Sequence, residues 1–292
     1  MDRYALIVGM GIGQLYKSIY EKLGYKIVTV DSNPHKHADF TDVRVAVTKY
    51  PNITTVHVCT PNYTHEQVAI DILETARTVD VMFIEKPGLE STQAWRWLVN
   101  SYRGTRIMMV KNNMWRDNIK ELAEQAKQAR VVHLDWINEN RVPHPGSWFT
   151  TKSLAYGGVS RDLLPHLLSF YIALNPDWQT EKLTYRLATQ RHTLDTIDST
   201  DYGVVNPNGT YDVDDYCRLE FGDKWKLSAD WASKIHDKRV IDFGTDHYEF
   251  GLCPEEAYEN MIKEAVSKLA NDLFWIKQME YDTFIHERIS VL

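Results

Sequence analysis

The chain has 292 residues, 43% of them hydrophobic and 25% charged, with a formal net charge of -7. A monomer of this size buries roughly three quarters of its unfolded surface, so its core needs neither disulfides nor a structural metal, and the composition excludes global disorder. The acidic balance speaks against nonspecific attachment to nucleic acid or to an anionic membrane. Cys59, Cys217 and Cys253 are far apart, odd in number and form no CxxC pair, which points to reduced core thiols rather than a disulfide framework or a zinc cage. No run of 18 apolar residues occurs, and the apolar run from Tyr4 to Val8 is too short for a signal peptide, so the expected location is the cytoplasm.

Taken in chain order, the first 130 residues alternate short apolar runs with amphipathic stretches. The runs are ALIV (5–8), KIVTV (26–30), TVHVC (55–59), VMFI (81–84) and RIMMV (106–110), and the helical patterns lie near 14–23, 64–76, 91–102 and 114–129. This alternation predicts βαβ units on a parallel sheet, and continuous apolar runs suit strands buried on both faces. Residues 32–54 offer only VRVAV as a further strand and read as a trimmed crossover. Beyond a loop at 141–158 and a helix from about 160 to 174, candidate strands are KLTYRLA, DDYCRLEF, KWKLSADWA and RVIDFG, several of them alternating. A long helix after Pro254 carries the stripe Ala257, Met261, Ile262, Ala265, Val266, Leu269, Leu273 and Ile276. The fold class is therefore an N-terminal α/β domain with a parallel sheet (1–118) followed by an α+β domain with a mixed sheet (119–292).

The first strand runs into Gly9-Met10-Gly11-Ile12-Gly13-Gln14, and the second ends at Asp31. Glycines at a strand-to-helix turn admit a pyrophosphate to the helix N-terminus, and an acid about 20 residues on accepts bonds from the adenosine ribose. The spacing here is GxGxG, one residue short of the usual pattern at the third glycine. The expected cofactor is a dinucleotide held by Gly9, Gly11, Ile12, Gly13 and Asp31. Asp31 would repel a 2′-phosphate, favouring NAD over NADP. His35-Lys36-His37 reads as a solvated loop, and no metal is expected.

Three further segments carry chemistry: Thr60-Pro61-Asn62-Tyr63-Thr64-His65 after TVHVC, Glu85-Lys86-Pro87 after VMFI, and Gly157-Gly158-Val159-Ser160-Arg161-Asp162 with His166 four residues on. The spacing of Asp162 and His166 predicts one face of one helix. In this order the segments resemble the glucose–fructose oxidoreductase, inositol dehydrogenase and rhizopine-catabolism (Gfo/Idh/MocA) family, over nearly the whole chain. The resemblance implies a Rossmann domain, a C-terminal domain with a large open sheet, and nicotinamide-dependent oxidation or reduction of sugars, cyclitols or related polyols.

On that resemblance Lys86 touches the nicotinamide ribose and the reacting oxygen, His166 is the acid/base, and Asp162 orients the site. Thr60, Pro61, Asn62, His65 and Glu85 join the cofactor contacts. Asn113, Arg116, Trp148, Lys152 and Tyr156 are the substrate-binding candidates. The chemistry agrees: hydride leaving a carbinol carbon needs a base for the hydroxyl proton, and a cation steadies the developing alkoxide. The chain departs from the family pattern where Tyr156 replaces a glycine, Leu164 replaces another, and Trp148 is followed by Phe149 rather than arginine, which leaves Lys152 or Arg161 to substitute. Two other readings stand beside this one: a nucleotide-sugar dehydrogenase, and a noncatalytic NAD-binding sensor or scaffold. The expected partners are a small polyol or sugar and a second copy of the chain, in a homodimer or tetramer. Its contacts would come from Tyr185, Leu187, Tyr216, Trp225 and Trp231 on the open sheet.

Overall fold

The computed structural model describes residues 3–197 and 203–292. The chain divides into two compact units. One holds residues 1–110 and takes back Tyr258–His286; the other holds Lys111–Ala257 and Glu287–Leu292. Against an expected boundary near 118, the first unit thus ends earlier and recruits a late segment.

In the first unit β1 (Tyr4–Val8), β2 (Lys26–Val30), β3 (Ile53–Val58), β4 (Val81–Ile84) and β5 (Arg106–Met109) form a parallel sheet in the order β2-β1-β3-β4-β5. The helices are α1 (Gly13–Lys22), α2 (Val43–Lys49), α3 (His65–Thr75) and α4 (Thr92–Ser101). Residues 5–8 and 81–84 are buried throughout, as strands covered on both faces must be. The strand expected at VRVAV is instead α2. Val43, Ala46 and Val47 are buried at helical spacing while Val45 is exposed, and Asp42 caps the helix by accepting from the backbone N–H groups of Arg44 and Val45. The β-branched composition concealed a helix that has a start signal and an apolar face. The TPN and EKP segments therefore follow the third and fourth strands, and Asn113 follows the fifth.

In the second unit β6 (Val132–Glu139), β7 (Leu183–Thr189), β8 (Tyr216–Phe221), β9 (Trp225–Ser233), β10 (Lys238–Asp242) and β11 (His247–Glu249) form a mixed sheet in the order β11-β10-β6-β9-β8-β7. Only β6 and β9 run parallel; the other neighbours are antiparallel. The helices here are α5 (Ile119–Gln128), α6 (Lys152–Ala155), α7 (Val159–Asp162) and α8 (Leu164–Leu174). Almost every residue of α8 is buried, and it lies against β6 and β9. Tyr171 of α8 stacks on Phe221 with centroids 4.3 Å apart and meets Trp225 edge-on at 5.3 Å. Alternation puts Cys217, Leu219 and Phe221 of β8, with Trp225, Leu227 and Trp231 of β9, among the buried residues.

Two of the five expected interface residues are thus core residues. Trp225 and Trp231 pack inside the unit, whereas Tyr185 and Leu187 on the edge strand β7 are exposed and Tyr216 is half-buried. The expected long C-terminal helix is two helices, α9 (Glu255–Ser267) and α10 (Asp272–Ser290). The single stripe fails at this break: Leu273 is 78% exposed, and α10 instead buries Trp275, Tyr281, Phe284, Ile285 and Ile289. No helix among the described residues is long and apolar enough to cross a membrane.

Candidate functional site

The first unit reverses its strand order between β1 and β3. The crevice beyond the carboxyl ends of strands at such a switch point is where open α/β sheets take ligands. The glycine turn and the TPN segment flank that point. Gly9 has φ +94°, and a Cβ there would lie 2.6 Å from the Cys59 carbonyl oxygen, so only glycine lets the turn rest against the end of β3. Gly13 opens α1, and a Cβ there would come within 2.9 Å of Ile7 Cγ2. A Cβ on Gly11 would meet nothing within 4 Å. A tight turn, an open approach and close helix–strand packing are what a pyrophosphate site asks of its three glycines, and the shortened spacing supplies all three. Ile12 is exposed between them. Asp31 braces the turn: its Oδ2 accepts from the Met10 N–H at 2.7 Å, and its Oδ1 from the Asn33 N–H at 2.8 Å. These residues fit a dinucleotide.

Thr60, Pro61 and Asn62 leave the end of β3 half-buried. Thr64 Oγ1 donates within this loop, with Thr60 Oγ1 and the Pro61 carbonyl both at 2.7 Å. His65 is differently placed from the expectation. It is fully buried, with Nδ1 2.7 Å from the Gly88 carbonyl oxygen and Nε2 2.7 Å from that of Thr60. Both ring nitrogens face backbone carbonyls, and the neutral imidazole, with one N–H, donates to one of the two. Burial lowers its pKa, the two carbonyls oppose that, and the charge of Lys86 adds to it.

Glu85 extends the β4 ladder by donating its N–H to the Val58 carbonyl. Its carboxylate accepts from the Tyr16 hydroxyl and, at 3.2 Å, from the Lys86 N–H. Burial raises the Glu85 carboxyl pKa, and the Tyr16 hydroxyl and the Lys86 charge moderate the rise. Glu85 thus anchors the turn inward. Lys86 follows, half-buried, joined to Pro87 by a cis peptide bond, and the Gly88 N–H closes the turn on the Glu85 carbonyl at 2.9 Å.

The second unit holds the remaining candidates. Asp162 and His166 do not share one helix. Asp162 ends α7 and His166 lies in the first turn of α8, the junction being Leu163 ahead of Pro165, which has no N–H to continue the ladder. Two tryptophans of adjacent strands attend them. Trp231 Nε1 donates to Asp162 Oδ2 at 2.9 Å, and the Trp136 ring lies 5.3 Å from that of His166. The paired glycines before α7 make room for Asp214. A Cβ on Gly158 would fall 1.8 Å from the Asp214 carbonyl oxygen, and the Asp214 carboxylate accepts from the N–H groups of Gly158 and Ser160. Asp214 therefore caps α7, a role that its place in the sequence did not announce.

Arg116 and Asn113 are buried together. Arg116 Nε donates to Asn113 Oδ1 at 2.9 Å, one terminal nitrogen donates to the Gly251 carbonyl, and the guanidinium lies over the rings of Phe170 and Phe250. Trp148 stacks on Phe149 with centroids 3.9 Å apart, and Lys152 is exposed at the start of α6. Tyr156 ends α6 with φ +68°, so where the resembled family often has glycine the backbone is indeed left-handed. A cavity of about 710 Å³ opens at the β10–β11 edge, and its walls include Arg239 and Phe250, both of which touch Trp136.

No protein-family model matches the chain. It is 28% identical over 183 residues to a protein of Amycolatopsis mediterranei (strain S699) named "Putative UDP-kanosamine synthase oxidoreductase subunit", a match covering 58% of this chain and half the length of that relative. Among solved structures, GenD2 from gentamicin A biosynthesis, in complex with NAD, superposes with a TM-score of 0.75 at 16% identity, covering 99% of this chain and 93% of GenD2. Levoglucosan dehydrogenase with NADH and levoglucosan gives 0.72 at 15% identity, covering 99% and 96%. The WlbA dehydrogenase from Thermus thermophilus, with NAD and UDP-GlcNAcA, gives 0.69 at 13% identity, covering 100% and 94%. The chain therefore shares the two-domain fold of these proteins, solved with NAD or NADH bound, which is the fold that its motif order implied.

Proposed function

We propose that the protein is an NAD(H)-dependent oxidoreductase acting on a hydroxyl or ketone of a sugar, sugar derivative or cyclitol. The observation that carries this reading is the glycine turn at the β1/β3 switch point, braced by Asp31 and open above Gly11. Gly9, Gly11 and Gly13 with the N-terminus of α1 would hold the pyrophosphate, Asp31 the adenosine ribose, and Thr60 to Asn62 the adjoining part of the cofactor. The nicotinamide supplies a hydride acceptor or donor. Lys86 would steady charge on the substrate oxygen as the carbonyl forms, and His166 would take the hydroxyl proton, with Asp162 orienting substrate beside it. The test is a panel of polyols and sugars offered with NAD to the purified protein and followed at the nicotinamide absorbance. Turnover of none, by protein that binds NADH, would leave a sensor or scaffold.

A nucleotide-sugar substrate is the second reading, favoured by the UDP-sugar in the names of the Amycolatopsis relative and the WlbA complex. UDP-sugars belong in the same panel. We also assign the protein to the cytoplasm and to a homodimer or tetramer, formed where Tyr185 and Leu187 are exposed on the sheet edge. Sedimentation at micromolar concentration checks the assembly, and a monomer there would overturn it.

A further inference from the structure

One peptide group of the first unit is held at both edges by buried histidines. The Gly88 carbonyl meets Nδ1 of His65 at 2.7 Å, and the Leu89 N–H donates to Nε2 of His286 at 3.2 Å. These two polar groups belong to the same Gly88–Leu89 peptide. His65 opens α3 and His286 lies near the end of α10, and both are fully excluded from solvent.

Neither ring is free to turn. The clamp requires the single N–H of a neutral His65 on Nδ1, toward Gly88, with Nε2 lying 2.7 Å from the Thr60 carbonyl oxygen. Because Nε2 of His286 accepts, its neutral ring carries the proton on Nδ1, which donates to the Asp282 carbonyl at 2.7 Å. The same ring stacks on Trp95 with centroids 4.9 Å apart. The fit at the peptide is close: Gly88 has φ +81°, and a Cβ there would stand 2.5 Å from His286 Nε2.

The held peptide ends the turn that carries Lys86. That turn begins at Glu85, fixed by the Val58 carbonyl and the Tyr16 hydroxyl, and closes through the Gly88 N–H on the Glu85 carbonyl. A lysine side chain is long and flexible, so the backbone from which it leaves determines what its ammonium can reach. We infer that His65 and His286 are positioning residues that fix the Lys86 turn for its work at the reacting oxygen. This rests on the proposed redox reading of Lys86.

The test compares His286→Leu, which removes the acceptor, with His286→Gln, which keeps an amide oxygen, both in the full chain. Exchange of the Leu89 amide proton, read by NMR, should quicken by at least about tenfold in His286→Leu and stay near the original in His286→Gln. With the best substrate of the panel, kcat should fall by about tenfold in His286→Leu while substrate KM and NADH affinity hold, and His286→Gln should recover most of the loss. Unchanged kcat in a folded His286→Leu protein, or equal losses in both variants, would overturn the inference. Should His286→Leu fail to fold, ring-nitrogen NMR of the unmutated protein decides, since a proton on Nε2 of His286 is incompatible with the clamp. Normal turnover by Lys86→Met would instead sink the redox reading, and the Leu89 exchange result would still stand.

Discussion

Asp31 combines two tasks in one carboxylate. It braces the glycine turn through the Met10 N–H, and in the proposed reading its charge would face a 2′-phosphate. Asp31→Ala should therefore weaken NADH binding and narrow the preference over NADPH, both measurable by quenching of tryptophan fluorescence. Tighter NADPH binding by the unmutated protein would contradict the assignment. His166 makes a separable prediction. A positioned acid/base contributes roughly 10²–10⁴-fold, so His166→Asn should lower turnover by about that factor with NADH affinity unchanged. At this scale motif spacing is what singled out the three glycines, Asp31, Lys86, Asp162 and His166 as candidates. The sequence concealed those whose partners are remote along the chain. Nothing beside Asp214 announces that it caps α7, and nothing beside His286 announces Leu89, 197 positions away. His65 was legible as part of a motif, but its buried place between two backbone carbonyls was not.

Secondary structure was readable where period and length agreed. KIVTV and VMFI are strands over the residues expected, because a short apolar run buried on both faces has few alternatives. VRVAV satisfies β-propensity and helical spacing at once, and the cap at Asp42 decides it. Asp42→Ala should cost about 1 kcal/mol, read as a lower denaturation midpoint, if that cap holds α2. β6 escaped the reading because it is central: Leu134, Asp135, Trp136 and Ile137 are all buried, and the two polar residues at 133 and 135 break up the apolar run.

Strand β3 also carries a pH-dependent cost. His57 is fully buried, its ring stacked on Tyr16 at 3.5 Å between centroids, and burial holds its pKa well below the usual value. The unfolded chain takes up a proton at this residue near pH 6.5, whereas the folded chain stays neutral. Stability is thus full above that pH and falls as the pH drops, by about 1.4 kcal/mol per unit for each such histidine until its folded pKa is reached. His65 contributes with the same sign. Denaturation at pH 7.5 and pH 5.5 (chosen as about one unit either side of the histidine value) should show the loss, and His57→Phe should lessen it. An equal loss in that variant would place the acid sensitivity elsewhere.

At the scale of the whole molecule, the first unit is discontinuous in sequence. Residues 1–110 supply its sheet, and Tyr258–His286 returns to it with Asp282 accepting from the Met109 N–H and His286 from that of Leu89. A chain ending at Ala257 should accordingly lose NADH binding, measured by the same fluorescence titration, because the first unit loses the buried Trp275, Tyr281, Phe284 and Ile285 together with both amide acceptors. That return also sets an order of events on the ribosome. The N-terminal sheet is synthesised first, yet two amides of its unit wait for acceptors that emerge only after Lys111–Ala257 of the second unit. At about 5–20 residues per second, the intervening stretch occupies the ribosome for many seconds, and the early segment remains incomplete for that time. The part of the chain written first is completed by one of the last segments to appear.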